Sequence, residues 1–204
     1  MISSKYIENA VNEIASLQGV GKRTALRYVL DLAGRSDEDI ARFIGSIQDL
    51  KTHVKPCKKC HNLSDTELCN ICSSPNRDDS IICVVESIRD VLAIEATHQY
   101  KGLYHVLGGK ISPMDGVGPS DLNVGTLLER LENNKVKELI LALSATLEGD
   151  TTSYYLFKKI EKSVHFVTST LSRGVPVGDE LQYTDEVTLG RSIVQRTPYD
   201  KSLL

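Results

Sequence analysis

No apolar run in this 204-residue chain approaches the roughly 18 residues that a membrane-spanning helix needs. The first residues, Met1-Ile2-Ser3-Ser4-Lys5, lack the apolar core of a signal peptide. The expected compartment is therefore the cytoplasm, where structural disulfides are rare. A complete phosphate loop is also missing. Gly21-Lys22 would end one, but Ser16 stands at its first glycine position and Arg23 at its hydroxyl position, so ATP binding by that route is excluded. Neither an internal repeat nor a low-complexity tract is present. A large excess of either charge is absent too. The net charge of -3 argues against a strongly basic coat for nucleic acid.

What is present is ordinary globular material, with 41% hydrophobic and 25% charged residues. The length suits one or two domains, one of which can bury a sizeable core. The small charge is unevenly spread. Residues 1–60 hold ten Lys/Arg against seven Asp/Glu, and the remainder hold fourteen against twenty. Contact with nucleic acid is accordingly expected at the N-terminal end.

Periodicity predicts three short helices, over 4–17, 22–33 and 37–51. Ile40, Phe43, Ile44 and Ile47 share one face of the third. Pro56 marks a boundary before a polar segment rich in cysteine. Ile81-Ile82-Cys83-Val84-Val85 then reads as a buried strand. Further strands are expected at 139–143 and 164–168, with helices at 88–97, 122–133 and 151–162. Residues 104–119, rich in glycine and carrying Pro113 and Pro119, read as a long structured loop. Strands alternating with helices imply an α/β fold, a parallel sheet with helices on both faces.

Three groups of residues carry chemistry. The first is Cys57-x2-Cys60-x8-Cys69-x2-Cys72. Each C-x2-C pair folds a knuckle that aims two thiolates at one point, and two knuckles supply the tetrahedral shell of zinc. A redox or disulfide pair fits the spacing and compartment less well. Four protein ligands leave no open position, so the site is structural rather than catalytic. Lys58 and Lys59 can offset the charge of the thiolates, His61 reads as a bystander, and Cys83 reads as a small core residue.

The second group is Gly19-Val20-Gly21 with Lys22, Arg23 and Arg27. Two glycines allow close approach of the backbone to a phosphate, and the N–H groups that open the next helix point the same way. Arg23 and Arg27 share a face at i, i+4. Such a turn can grip nucleic-acid backbone without reading bases; it can equally be a plain turn between helices with solvated basic residues. The third group is Glu86, Asp90, Glu148 and Asp150, near the carboxyl ends of the first two predicted strands. There they could hold Mg²⁺ or simply cap helices and offset helix dipoles.

Glycine-turn helices, a four-cysteine knuckle, then a sheet with a terminal glutamate and a late acidic pair together resemble the RecR recombination-mediator family. The resemblance covers nearly the whole chain. Leu17-Gln18-Gly19-Val20-Gly21 looks like the family's helix–hairpin–helix, with Gln18 where proline is usual. The stretches Gly108–Pro119 and Ser172–Gly178 are similar to its signatures, and Asp185–Arg191 to its tail. Leu143–Leu147 departs from the usual asparagine–proline version, and Arg23 stands at a lysine position. The resemblance implies a helix–hairpin–helix DNA-binding region at 1–54, a zinc finger at 55–78, a Toprim domain at 79–175 and an assembly tail at 176–204. It implies a dimer or tetramer ring around DNA, with Arg23 and Arg27 as the DNA-contacting pair. It also implies a nucleoid-associated bacterial protein partnered by RecO and RecF, which helps load recombinase at gapped DNA in RecBC-independent repair. The rival expectation is a Mg²⁺-dependent Toprim nuclease or a related phosphoryl-transfer enzyme. A topoisomerase needs a further large tyrosine-bearing domain and a primase a nucleotide-handling module, and the chain has room for neither.

Overall fold

The computed structural model describes residues 4–132, 135–161, 166–196 and 198. The chain divides into two compact units, 1–55 and 56–204.

The first unit holds α1 (Lys5–Ala15), α2 (Lys22–Ala33) and α3 (Asp37–His53). Val11 of α1 and Ala25 and Val29 of α2 are buried together, flanked by Ile7, Ala10, Ile14 and Leu26. These positions recur every three or four residues, which is why a helical pattern here becomes a packed pair. Between the helices, Val20 N–H donates to the Leu17 carbonyl at 3.1 Å. Gly19, at the third position of that turn, has φ +79°, a left-handed conformation open to glycine at no steric cost. Helix α3 is N-capped by Ser36, whose hydroxyl accepts from Asp39 N–H, and its first turn carries Asp37, Glu38 and Asp39, charges that suit the helix's positive end. Its apolar face is bare: Phe43, Ile44, Ile47 and Leu50 are all exposed.

Two-residue strand β1 (Lys55–Pro56) spans the boundary, and the second unit continues with β2 (Leu63–Ser64), also two residues, and the single-turn helix α4 (Asn70–Ser73). There follow β3 (Asp78–Val85), α5 (Ile88–Ala96), β4 (Gly102–Val106), α6 (Val124–Leu131), β5 (Glu138–Leu141), α7 (Leu147–Ile160), β6 (Val167–Thr170) and α8 (Glu186–Val194). The four longer strands form one sheet in the order β4-β3-β5-β6, parallel throughout. Alternation along β3 sorts its side chains between two layers. Ile82 and Val84 join Leu139 and Leu141 of β5, Leu127 of α6 and Leu156 and Ile160 of α7. Cys83 and Val85 join Tyr104 and Val106 of β4 and Val91 of α5. Cys83 is 2% exposed, and burial pushes its thiol up to about 12. It is a core residue, as its place in an apolar strand implied.

The α/β class with helices on both faces is as expected, but residues 102–106 form a strand, β4, where the sequence pattern predicts a loop from 104. Gly102 and His105 weaken the strand pattern of this stretch, and no alternation shows because all five residues are buried. Its identity comes from pairing with β3, in register from Ile82–Leu103 to Val85–Val106. The true loop is ordered by its own hydrogen bonds. Ser112 and Val117 pair backbone to backbone, with Ser112 N–H donating at 3.0 Å and Val117 N–H at 2.9 Å. Ile111 N–H also donates to Thr152 Oγ1 at 2.9 Å. Helix α7 starts a turn earlier than periodicity suggested, because the Thr146 hydroxyl accepts from Gly149 N–H and caps it there. Of the expected third strand, 164–165 lie outside the described residues and the strand observed is Val167–Thr170. The expected ends of two helices, at 133 and 162, lie outside them as well.

Candidate metal centre and basic helix end

Cys57, Cys60, Cys69 and Cys72 converge as their spacing required: their four sulfurs lie within 4.8 Å of one another. Tetrahedral Zn–S bonds of about 2.3 Å place sulfurs roughly 3.8 Å apart, so the quartet matches zinc in donor type, number and spread. Local backbone bonds build each knuckle. In the first, His61 N–H donates to the Cys57 carbonyl at 3.0 Å and Cys57 N–H to the Asn62 carbonyl at 2.7 Å. His61 closes the turn with φ 63°, uncommon outside glycine and more tolerable for His than for most residues. In the second, Cys69 precedes the turn of α4, and Ser73 N–H donates to its carbonyl at 3.0 Å.

Backbone donors also aim at the sulfurs. Cys69 N–H lies 3.3 Å from Cys57 Sγ and Asn62 N–H 3.5 Å from Cys60 Sγ. Burial raises the Cys57 thiol, but N–H groups of Cys69, Lys59 and Cys60 outweigh it and bring it down to about 7. Cys60 is pushed up, first by its neighbour Cys72 and then by burial. Sulfurs that cannot all ionise in each other's company are those for which a metal cation is the natural partner. Three of the four cysteines are fully buried. Among the described residues, this is the one cluster of Cys, His, Asp and Glu ligand atoms close enough for a metal ion.

The knuckles rest on the edge of the sheet. Val106 N–H donates to the Cys60 carbonyl at 2.8 Å. His61 is no ligand; its Nε2 hydrogen-bonds Thr126 Oγ1 on α6 at 2.8 Å, and its ring meets His105 edge-on at 5.3 Å. His105 is fully buried. Its Nε2–H donates to the Asn123 carbonyl at 2.8 Å while its Nδ1 accepts from Arg130 at 3.3 Å. That arrangement suits the neutral ring, and burial brings its pKa down to about 3. Sequence reasoning missed Thr126, His105 and Arg130 altogether, because nothing local links them to the cysteines.

The four carboxylates are not brought together. Glu86 sits just past β3, where neighbouring strands diverge, the usual ligand position in such sheets. Its Oε1 accepts from Ser144 N–H at 2.7 Å. Asp90 belongs to the capping box of α5, accepting from Ser87 N–H at 2.7 Å. Glu148 lies 3.7 Å from Lys110 Nζ. Asp150 pairs with both terminal nitrogens of Arg173, whose guanidinium holds the carboxyl below its usual range. Each of the four is thus engaged by a backbone N–H or a side-chain cation, and among the described residues their oxygens do not converge closely enough for one ion.

Lys22, Arg23 and Arg27 are all exposed on α2, and none pairs with a carboxylate among the described residues. Helix α2 starts from Gly21, which has no side chain to cap it, and its first turn carries no acid. Its first N–H groups are therefore left for solvent or an anion. A Cβ at Gly19 or Gly21 would meet nothing within 4 Å, so the ground in front of the basic residues is open. Arg27 stacks over the Tyr28 ring at 5.5 Å.

Family models match three stretches of the chain: a RecR four-cysteine zinc finger domain over 54–74, a Toprim domain over 80–170 and a RecR C-terminal segment over 174–197. Among curated relatives, the recombination protein RecR of Phocaeicola vulgatus is 58% identical over 194 residues, covering 95% of this chain and 94% of the relative. That of Flavobacterium johnsoniae is 54% identical over 200 residues, 98% of this chain and 97% of the relative. That of Bacteroides thetaiotaomicron is 57% identical over 194 residues, 95% and 94% of the two chains. With the zinc quartet, the Toprim sheet and likeness of this extent along its length, the chain belongs to the RecR family of recombination proteins.

Proposed function

We propose that this protein is a non-catalytic DNA-binding mediator of recombinational repair, gripping the phosphate backbone through Lys22, Arg23 and Arg27 around Gly19 and Gly21. The observation that carries this reading is a set of exposed cations, unpaired among the described residues, beside an uncapped helix N-terminus. Such a surface attracts phosphate and reads no bases. In this reading the protein acts in the bacterial cytoplasm with RecO and RecF to load recombinase at gapped DNA. It works as a dimer or tetramer ring, in which several weak grips add through avidity. The bare apolar face of α3, with Phe43, Ile44, Ile47 and Leu50 exposed, supports assembly, because monomers rarely leave such a stripe uncovered.

Arg23→Ala with Arg27→Ala, measured by fluorescence anisotropy on gapped duplex at several salt concentrations, tests the grip. Affinity is expected to fall about tenfold or more at low salt, and the log–log salt slope by roughly one for each lost phosphate contact. Unchanged affinity and slope would leave the protein a scaffold without this DNA contact.

A Mg²⁺-dependent phosphoryl-transfer enzyme is the competing reading, favoured by the Toprim match. Against it stand the carboxylates themselves: Asp150 is matched by Arg173 and Glu148 by Lys110, so side-chain cations already balance the charge a metal would. Labelled DNA incubated with the protein and Mg²⁺ is expected to stay intact over hours. Cleavage or synthesis abolished by Glu86→Ala would reverse this.

A further inference from the structure

A zinc ion held by four thiolates is a dianion. Set into a protein surface with three ligands buried, it needs positive charge nearby, since an uncompensated charge out of water is costly. Lys58 and Lys59 are the cations nearest in sequence. The Lys58 ammonium, however, pairs with Glu67, and its side chain is 69% exposed, so its field at the sulfurs is screened twice over.

A better-placed cation comes from the other side. Arg130 stands in the last turn of α6, facing the edge of the sheet on which the knuckles rest. Its Nη1 donates to the Tyr104 carbonyl at 2.7 Å and to His105 Nδ1 at 3.3 Å, both neutral acceptors. Its Nη2 is sealed from solvent and has no hydrogen-bond partner. No carboxylate among the described residues forms an ion pair with it. An arginine desolvated to this degree normally has a carboxylate or phosphate beside it. The hydrogen-bond partner of Arg130, His105, meets the ring of His61, the residue after Cys60, edge-on at 5.3 Å, which sets the guanidinium beside the knuckles; burial lowers its pKa, and Cys72, Cys60 and Cys57 raise it. His105, kept neutral by burial, adds no charge of its own beside the guanidinium.

We propose that Arg130 is the counter-cation of the zinc–thiolate cluster, so that the Toprim helix α6 and the zinc knuckles hold each other through charge as well as through the His61–Thr126 hydrogen bond. The attraction is Coulombic, as no sulfur accepts a hydrogen bond from Nη2. Arg130 is a positioning residue here and not a fifth ligand.

The test compares Arg130→Gln, Arg130→Lys and Leu127→Ala in the full-length, zinc-loaded protein. Leu127 is buried in the same helix and carries no charge, so its variant reports plain damage to α6. Zinc transfer to a chromophoric chelator is followed, and the thiolate-to-metal absorption band is recorded after cobalt replaces zinc. Arg130→Gln is expected to weaken zinc retention about tenfold, the usual scale for an outer-shell partner, and to shift the cobalt band. Arg130→Lys should restore most of both, and Leu127→Ala should melt earlier while keeping the band. Zinc retention and a cobalt band equal to wild type in Arg130→Gln would overturn the proposal. Equal zinc loss in Leu127→Ala would overturn it too, as would inorganic phosphate binding that depends on Arg130, which would make the residue a receptor for an outside anion.

Discussion

Removing zinc, by chelation or by Cys69→Ser, is expected to unfold residues 57–73 while the parallel sheet survives. The knuckles have no apolar core apart from their ligands: the buried cluster there is Cys57, Cys60 and Cys69, with Ile71 and Cys72 packed against them. Strands β1 and β2 are two residues each and α4 a single turn, far too short to persist alone. Structural zinc contributes on the order of 10–16 kcal/mol in comparable small modules. No other interaction available to this segment approaches that. The sheet, by contrast, has two apolar layers of its own, neither containing a zinc ligand. Amide hydrogen exchange should therefore show protection lost at Cys57, His61 and Ser73, whose N–H groups are bonded inside the knuckles, and kept at the β3–β5 ladder. Val106 N–H, which donates to the Cys60 carbonyl, should lose protection with the knuckles and so report their undocking from the sheet. Chelated protein with unchanged exchange at these positions would refute the structural role.

The second large effect is expected from a single methyl group. Gly149→Ala should cost about 3 kcal/mol, the upper part of the usual range for overpacking. In a chain of this size that lowers the melting temperature by roughly 10 °C. Gly149 lies in the first turn of α7, and a Cβ there would fall well inside contact distance of the Ser144 carbonyl oxygen and 3.0 Å from its carbon. These are backbone atoms and cannot rotate aside. Residues 142–146 would have to shift, and Ser144 N–H would leave Glu86 Oε1, its acceptor at 2.7 Å. The damage would thus reach the carboxyl ends of β3 and β5 together. At Gly125, by comparison, an added Cβ would have nothing within 4 Å, and Gly125→Ala should cost little or slightly stabilise the exposed face of α6. Thermal melts of the two variants side by side check both expectations; equal melting points would show that the contact at Ser144 does not constrain the turn.

The features legible in the sequence share a property: each is local. Two C-x2-C pairs specify a metal quartet because ligand geometry is set within each knuckle. The first two helices are announced by helical period and by the glycine turn that breaks them. Ile81–Val85 reads as a strand because it is apolar throughout. Strand β4 was not legible, because Gly102-Leu103-Tyr104-His105-Val106 has weak strand preference and becomes a strand through its ladder to β3.

The same boundary runs through the charges. The sequence by itself determined which residues can bind zinc, where a basic helix end lies and that helices alternate with parallel strands. Only the tertiary structure decided how the ionisable groups are matched. It paired Asp150 with Arg173, held Glu86 against Ser144, and seated Arg130 against Tyr104 and His105 with no carboxylate beside it among the described residues. The physical reason is that a metal knuckle or a helix turn is closed by neighbours in the chain, whereas the partner of a half-buried charge depends on which elements the sheet order sets side by side.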